Sequence, residues 1–230
     1  MLETEIPLPA ETFFHSRFFR GLCADELKPL AQICSRKQIP AGTCLVRQHS
    51  PALHVYTVIS GALMLERCSR TGKRQVIGFS FPGDTIGITS NDTFEYSVVA
   101  LKECHLQVFH RQPFLDIIDG NNNLKNRARI TGCNILTHTL DQLFALGQKK
   151  AHERLCFLLQ QISQRQPGCN PEIIDLIMNR QDIADYLGLT IETVSRAFTK
   201  LRTTGVIQVE SAHKVRILDR QSLEEMASAH

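Results

Sequence analysis

The 230-residue chain contains no apolar run near the roughly 18 residues that a membrane-spanning helix needs, so no membrane partner is expected. It has little excess charge: 26 Lys+Arg against 23 Asp+Glu leave +3. That is too small to indicate nucleic acid or an anionic surface, and only a local basic face would do so. A basic stretch followed by an apolar core is missing at the start, where Met1-Leu2-Glu3-Thr4-Glu5-Ile6-Pro7 is acidic. No secretory signal is therefore expected, and the expected location is cytoplasmic. The eight cysteines, at 23, 34, 44, 68, 104, 133, 156 and 169, include no C-x-x-C pair and no zinc-type His spacing. No metal is expected, and most thiols are expected to be reduced, small, buried hydrophobes. A Gly-rich phosphate loop, G-x-S-x-G and H-E-x-x-H are also missing, which argues against an enzyme. What is present, 43% hydrophobic and 21% charged residues, is ordinary globular usage and excludes disorder and fibrous repeats. The length suits one large domain or two small ones.

The chain to about Ser35 predicts two short helical pieces. Phe13, Phe14, Phe18 and Phe19 group around His15, and Leu22, Leu27, Leu30, Ala31 and Ile33 recur at near-helical spacing. From Arg36 to about Phe109, short apolar runs alternate with turns such as Pro40-Ala41-Gly42, Ser60-Gly61, Ser69–Lys73 and Pro82-Gly83-Asp84. Strands are expected at 55–59, 63–65, 75–81, 98–101 and 106–109, the pattern of an antiparallel roll or barrel. After Pro113 no proline recurs before Ser163, and a helix from about Asn121 to Leu146 would be on the order of 40 Å long. Cys133, Leu136, Leu140 and Leu143 form a stripe along it at spacings of three and four. The pattern leaves two readings open, packing on the chain's own roll and a seam to a second copy.

Residues 178–203 are the most informative. Asn179 can cap a helix with Asp182 three residues on. Ile183, Ala184 and Leu187 give that helix an apolar face, Gly188 ends it, Leu189 tucks inward, and Thr190 caps a second helix. Val194, Ala197, Phe198 and Leu201 would be buried there. Ala184, Gly188 and Val194 supply the small residue, the turn and the apolar lock of a helix-turn-helix. The opposite face carries Ile191, Glu192, Ser195, Arg196, Thr199 and Lys200. Arg can pair with guanine O6/N7, Glu with cytosine N4, Ser with either, and Ile can touch a thymine methyl. A solvated polar face is the bland alternative, but it does not account for the well-formed turn. Beyond Gly205, 206–209 and 215–218 alternate around Ser211-Ala212-His213-Lys214, a wing-type hairpin whose His213 and Lys214 could touch phosphate.

The run Asn179-Arg180-Gln181-Asp182-Ile183-Ala184-Asp185-Tyr186-Leu187-Gly188-Leu189-Thr190-Ile191-Glu192-Thr193-Val194-Ser195-Arg196 resembles the CRP/FNR family of bacterial transcription regulators. The resemblance runs from about Phe18 to Leu218, and Leu146–Leu155 is similar to the end of the family's dimer helix. Glu192, Ser195 and Arg196 are similar to the FNR and FixK branch, which reads TTGAT-type half-sites in an inverted repeat and mostly activates. The resemblance implies an α+β fold with a cyclic-nucleotide-binding-like β-roll sensor at 1–120, a dimerisation helix at 121–147 and a winged helix-turn-helix at 148–230. It implies double-stranded DNA, a second copy and RNA polymerase as partners. Ile191, Glu192, Ser195 and Arg196 would read bases. Asn179, Arg180, Gln181, Thr190, Thr199, Lys200, His213 and Lys214 would hold the backbone, and Cys133, Leu136, Leu140 and Leu143 would form the seam.

The departures concern the sensor. Cyclic-nucleotide binders of the family carry Gly-Glu for the ribose and Arg-Ser for the phosphate. Here Ile88 follows Gly87 and Tyr96 precedes Ser97, so cyclic AMP is not expected. FNR's iron–sulfur cluster needs four thiolates, several of them closely spaced near the N-terminus, where this chain has Cys23 alone. The preferred expectation is a FixK-like regulator without cofactor, controlled by its level or thiol state. The alternatives are an unrecognised metabolite and a haem-dependent, nitric-oxide- or redox-responsive regulator, with His15, His49, His54 and His105 as candidate ligands. Cys104-His105 is weak evidence for a metal.

Overall fold

In the computed structural model, which describes residues 16–166, 170 and 172–228, the paired Phe18 and Phe19 lie in a turn rather than a helix. Phe13, Phe14 and His15 lie outside the described residues. α1 (Ala24–Gln32) follows, and Glu26 turns back to accept the Cys23 N–H at 2.9 Å. Its carboxylate also accepts from the Asn123 side chain at 2.6 Å. These donors, the Cys23 N–H foremost, hold Glu26 at about 2, well below its ordinary range. Leu27 and Leu30 pack inward against Phe18, Phe19, Phe109 and Phe114. The four rings approach at 5.1 to 6.4 Å in tilted and edge-on pairs, arrangements that favour aromatic packing.

Eight strands make the roll: β1 (Cys34–Ile39), β2 (Cys44–Val46), β3 (His54–Ser60), β4 (Leu63–Cys68), β5 (Arg74–Ser80), β6 (Thr85–Ile86), β7 (Ser97–Ala100) and β8 (Cys104–His110). They form two four-stranded sheets, ordered β1-β8-β3-β6 and β2-β7-β4-β5. β8 shows why strand alternation shapes this core. Cys104, Leu106 and Val108 face the roll interior with Val58, Leu63 and Val98. Phe109 faces the other way, into the helical cluster. The five strands expected from sequence are present with shifted ends. β2 and β6, three and two residues long, were not expected, and neither was α2 (Arg111–Gly120). β1 begins two residues before the expected Arg36.

α3 (Asn122–Gln148) is the long helix. Asn121 Oδ1 caps it, accepting from the N–H groups of Asn123 and Leu124 at 2.8 and 3.1 Å. The chain divides into two compact units: one runs to Lys73 and over Ile77–Leu136, the other holds Arg74–Val76 and the chain from Thr137 on. The division falls within the helix that the sequence sets apart as 121–147.

The second unit contains α4 (Ala151–Arg165), β9 (Ile173–Asp175), α5 (Arg180–Leu187), α6 (Ile191–Thr203), β10 (Ile207–Ser211), β11 (Lys214–Ile217) and α7 (Arg220–Ser228). Its sheet runs β10-β11-β9. Neither β9 nor α7 was expected. Leu155, Leu158, Leu159, Ile174, Ile183, Val194, Leu201, Val215 and Leu223 form its buried core.

Candidate nucleic-acid interface

α5 begins with a reciprocal cap. Asn179 Oδ1 accepts the Asp182 N–H at 2.9 Å, and Asp182 Oδ2 accepts the Asn179 N–H at 3.2 Å. Ile183, Ala184, Tyr186 and Leu187 are buried. Gly188 then takes φ +61°, a left-handed conformation that any side chain would strain. A Cβ there would also sit 3.4 Å from Leu146 Cδ2. Leu189 N–H closes the turn on the Ala184 carbonyl at 3.0 Å, although the Leu189 side chain is half-buried and not fully tucked in. Arg154 Nη1 donates to the Leu187 carbonyl at 3.0 Å, and the Tyr186 hydroxyl donates to Gln161 Oε1 at 2.8 Å. These two bonds tie α5 to α4. The sequence alone did not single out Arg154, Tyr186 or Gln161, because their partners lie 25 to 33 positions away.

α6 is capped by Thr190, whose Oγ1 accepts the Thr193 N–H at 3.3 Å. Val194, Ala197, Phe198 and Leu201 are buried as expected. Ile191, Glu192, Ser195, Arg196, Thr199 and Lys200 are all exposed on the other face. The Thr190 hydroxyl, first, and the Glu192 N–H hold the Glu192 carboxyl below its usual range. It is thus an ionised acceptor at neutral pH. Arg196 Nη2 donates to Thr193 Oγ1 at 3.1 Å, so Thr193, three residues before it, steadies the guanidinium. That spacing was legible in the sequence, and Thr193 was missed.

The residues expected on the DNA backbone are less uniform. Gln181 is exposed and donates to Asp185 Oδ1 at 2.6 Å. Asn179 uses its side-chain oxygen in the cap. Arg180 is half-buried, with its guanidinium 3.6 Å over the Phe198 ring. Burial lowers its pKa, and its Nη1 is buried without a hydrogen-bond partner among the described residues. His213 at the wing turn is exposed, but its Nδ1 lies 3.0 Å from the Leu176 carbonyl. A carbonyl only accepts, so Nδ1 carries the proton and that edge is occupied. Lys214 is half-buried.

The stripe on α3 is open. Leu136, Leu140 and Leu143 are 60%, 55% and 66% exposed, Cys133 is exposed, and Ile135 and Phe144 adjoin them. None of the three leucines belongs to a buried core in the single chain.

In the roll, Ile88 and Tyr96 are half-buried. The Tyr96 phenol accepts the Gly87 N–H, and burial pushes it above its ordinary range. Gly87 has φ +92°, and a Cβ there would lie 2.6 Å from the His54 carbonyl oxygen. A cyclic nucleotide would meet an alkyl group and a phenol where it needs an acid and a cation, so these residues do not fit it. His49 is exposed, and His105 is exposed beside Glu103. The His54 ring lies 4.8 Å from that of His110, tilted by 40°. His54 pairs with His110 at one end of β3 and His105 with Ser60 at the other, about 20 Å away. Among the described residues no group of three His, Cys, Asp or Glu forms a metal site. No helix there is long and apolar enough to cross a membrane. The cysteines correct the sequence reading: Cys34, Cys104 and Cys156 are buried, but Cys23, Cys44, Cys68 and Cys133 are exposed on outward positions. Cys169 lies outside the described residues.

Two family descriptions match, a Cyclic nucleotide-binding domain over residues 36–121 and a Crp-like helix-turn-helix domain over 153–226. The nitrogen fixation regulation protein FixK of Azorhizobium caulinodans is 31% identical across 96% of this chain and 95% of its own. The chain belongs to the CRP/FNR family. Within it, the likeness is to the FixK branch and to FnrL, a transcriptional activator of Cereibacter sphaeroides that is 32% identical across 90% of this chain and 88% of its own. The structure of FixK2 from Bradyrhizobium japonicum superposes with a TM-score of 0.81 at 27% identity, covering 86% of this chain and 99% of that one. This CRP/FNR member thus combines the family's β-roll and its DNA-binding domain, and its relatives are transcription regulators.

Proposed function

We propose that this CRP/FNR protein is a cytoplasmic homodimer that reads an inverted repeat with TTGAT-like half-sites and activates transcription by engaging RNA polymerase. The observation that carries the reading is α6, with one face fully buried and Ile191, Glu192, Ser195 and Arg196 together on the exposed face. Paired through Cys133, Leu136, Leu140 and Leu143, two copies would set their α6 helices in successive major grooves about 34 Å apart. Arg196 supplies the guanine contact, Glu192 the cytosine contact, and Ser195 and Ile191 complete the half-site. Thr199 and Lys200, exposed at the middle of the same face, and Gln181, Thr190 and Lys214 meet phosphate. Asn179 contributes through the cap that fixes α5, and Arg180 by bracing Phe198 beneath α6.

The sensor works without cyclic nucleotide, iron–sulfur cluster or haem, and its exposed thiols remain open to redox control. Support comes from Ile88 and Tyr96 at the nucleotide positions and from the wide separation of His54 and His105. The test is anisotropy titration on a duplex bearing the repeat and on a scrambled duplex, with and without cyclic AMP. Preference for the repeat by at least about a thousandfold, indifferent to cyclic AMP, is expected. Equal affinity for both duplexes would overturn the half-site, and a cyclic-AMP-dependent affinity would overturn the sensor reading.

A further inference from the structure

His152 stands at the second position of α4, outside every residue so far given a DNA role. Lys200 Nζ lies 3.0 Å from its Nε2 and 3.3 Å from its Nδ1. An ammonium only donates, so a ring nitrogen must accept, and the imidazole must be neutral. The charged groups facing it are Lys200 from α6 and, from α4 and its cap, Glu153 and Lys150. Glu153 Oε1 is 3.8 Å from Nε2, while its Oε2 accepts the Lys150 N–H at 2.7 Å. The His152 side chain is 15% exposed. Burial, then Lys200, lowers its pKa from 6.5, and Glu153 only partly opposes them.

We propose that His152 is a positioning residue for DNA binding: its neutral ring holds the Lys200 ammonium on the reading face, and its protonation drives Lys200 off the phosphate backbone. The proposal rests on the reading of Lys200 as a phosphate contact. A lysine side chain has many rotamers to lose, so one already tethered loses fewer on meeting a phosphate. The ammonium has three donors. His152 takes one, and the others can serve a phosphate. When the ring is charged, both nitrogens carry protons and face the ammonium at about 3 Å as like charges. The sign is distinctive. Acidification ordinarily strengthens DNA binding by adding positive charge, whereas here it removes the contribution of Lys200.

The test uses the full chain on the repeat and scrambled duplexes, from about 50 to 200 mM salt, at about pH 8 and about pH 5.5. Lys200→Ala should weaken binding to both duplexes several-fold at the higher pH and flatten the salt dependence by about one phosphate contact per subunit. His152→Gln keeps a side-chain acceptor and should keep the native slope. His152→Lys should lose as much as Lys200→Ala, and the double variant should lose no more than either. In native protein the cost of Lys200→Ala should shrink at the lower pH, and in His152→Gln it should not. Equal cost at both pH values, additive losses in the double variant, or a Lys200→Ala protein with native salt dependence would each overturn the proposal. If His152→Lys melts below the assay temperature, the pH comparison between native protein and Lys200→Ala decides alone. Discrimination between repeat and scrambled duplex, which tests the half-site, is untouched by any of these results.

Discussion

Replacing Leu140 by Glu probes the α3 stripe most directly, because Leu140 is 55% exposed in the single chain and belongs to none of its core. Full burial of a leucine stabilises by about 1.5–3 kcal/mol. Covering the exposed half in a dimer is therefore worth about 1–1.5 kcal/mol per copy, or about 2–3 kcal/mol for the symmetric pair. A two-fold seam opposes the same patch on both chains, so the substitution also brings two carboxylates together. An uncompensated buried charge costs about 3–5 kcal/mol. The total of at least about 5 kcal/mol corresponds to more than a thousandfold loss of dimer affinity, at about 1.4 kcal/mol per decade. Sedimentation velocity at micromolar protein should show a monomer. Far-UV circular dichroism should be unchanged, since Leu140 belongs to no buried core of the single chain. Below the ordinary glutamate range, about 4.3, protonation should restore part of the dimer. A Leu140→Glu chain that sediments as a dimer of native affinity would refute the seam.

Arg196→Ala should cost about 1–3 kcal/mol on the repeat and relax one base position. Equal losses on repeat and scrambled duplex would remove Arg196 from base reading. Glu26 is held at about 2 against 4.5 unfolded. Its contribution is complete above 4.5 and is lost as the pH falls through about 2. Denaturation curves of native protein and Glu26→Gln should therefore differ near neutrality and converge in acid, and a pH-independent gap would contradict the cap. Burial pushes the Cys34 and Cys156 thiols up to about 12. Alkylation followed by mass mapping should mark Cys23, Cys44 and Cys68 quickly, Cys133 only as the dimer dissociates, and Cys34 and Cys156 only on unfolding. Labelling of Cys156 at the rate of Cys68 would contradict that burial.

Legibility in the sequence followed the range of the interactions. The reading motif was legible because its determinants are local: the Asn179–Asp182 cap spans three residues, Gly188 decides one turn, and Val194, Phe198 and Leu201 repeat within one helix. β2 and β6 were missed because strands of three and two residues show no alternation to detect. β9 exists by virtue of pairing with β11, and Ile173-Ile174-Asp175 alone carries no strand signature. The stripe on α3 was visible, but its spacing fits a core and a seam equally, and its exposure in the single chain is not written in that spacing. Cysteine burial misled because residue type sets an average, whereas Cys44 and Cys68 sit on outward strand positions. Arg180 and His213 read as phosphate contacts, and nothing in the local sequence signals the Phe198 ring or the Leu176 carbonyl that engage them.

The small sheet beside the reading helices has a thermodynamic consequence. β9 enters α5, and β11 lies beyond α6, yet Asp175 and Lys214 are paired neighbours. The segment that reads DNA is thus a loop clamped at both ends. Its conformational entropy is surrendered when the chain folds and not when the protein docks. On the proposed reading, the contacts of Glu192, Ser195 and Arg196 then appear as affinity and discrimination with little offset for ordering the backbone that carries them.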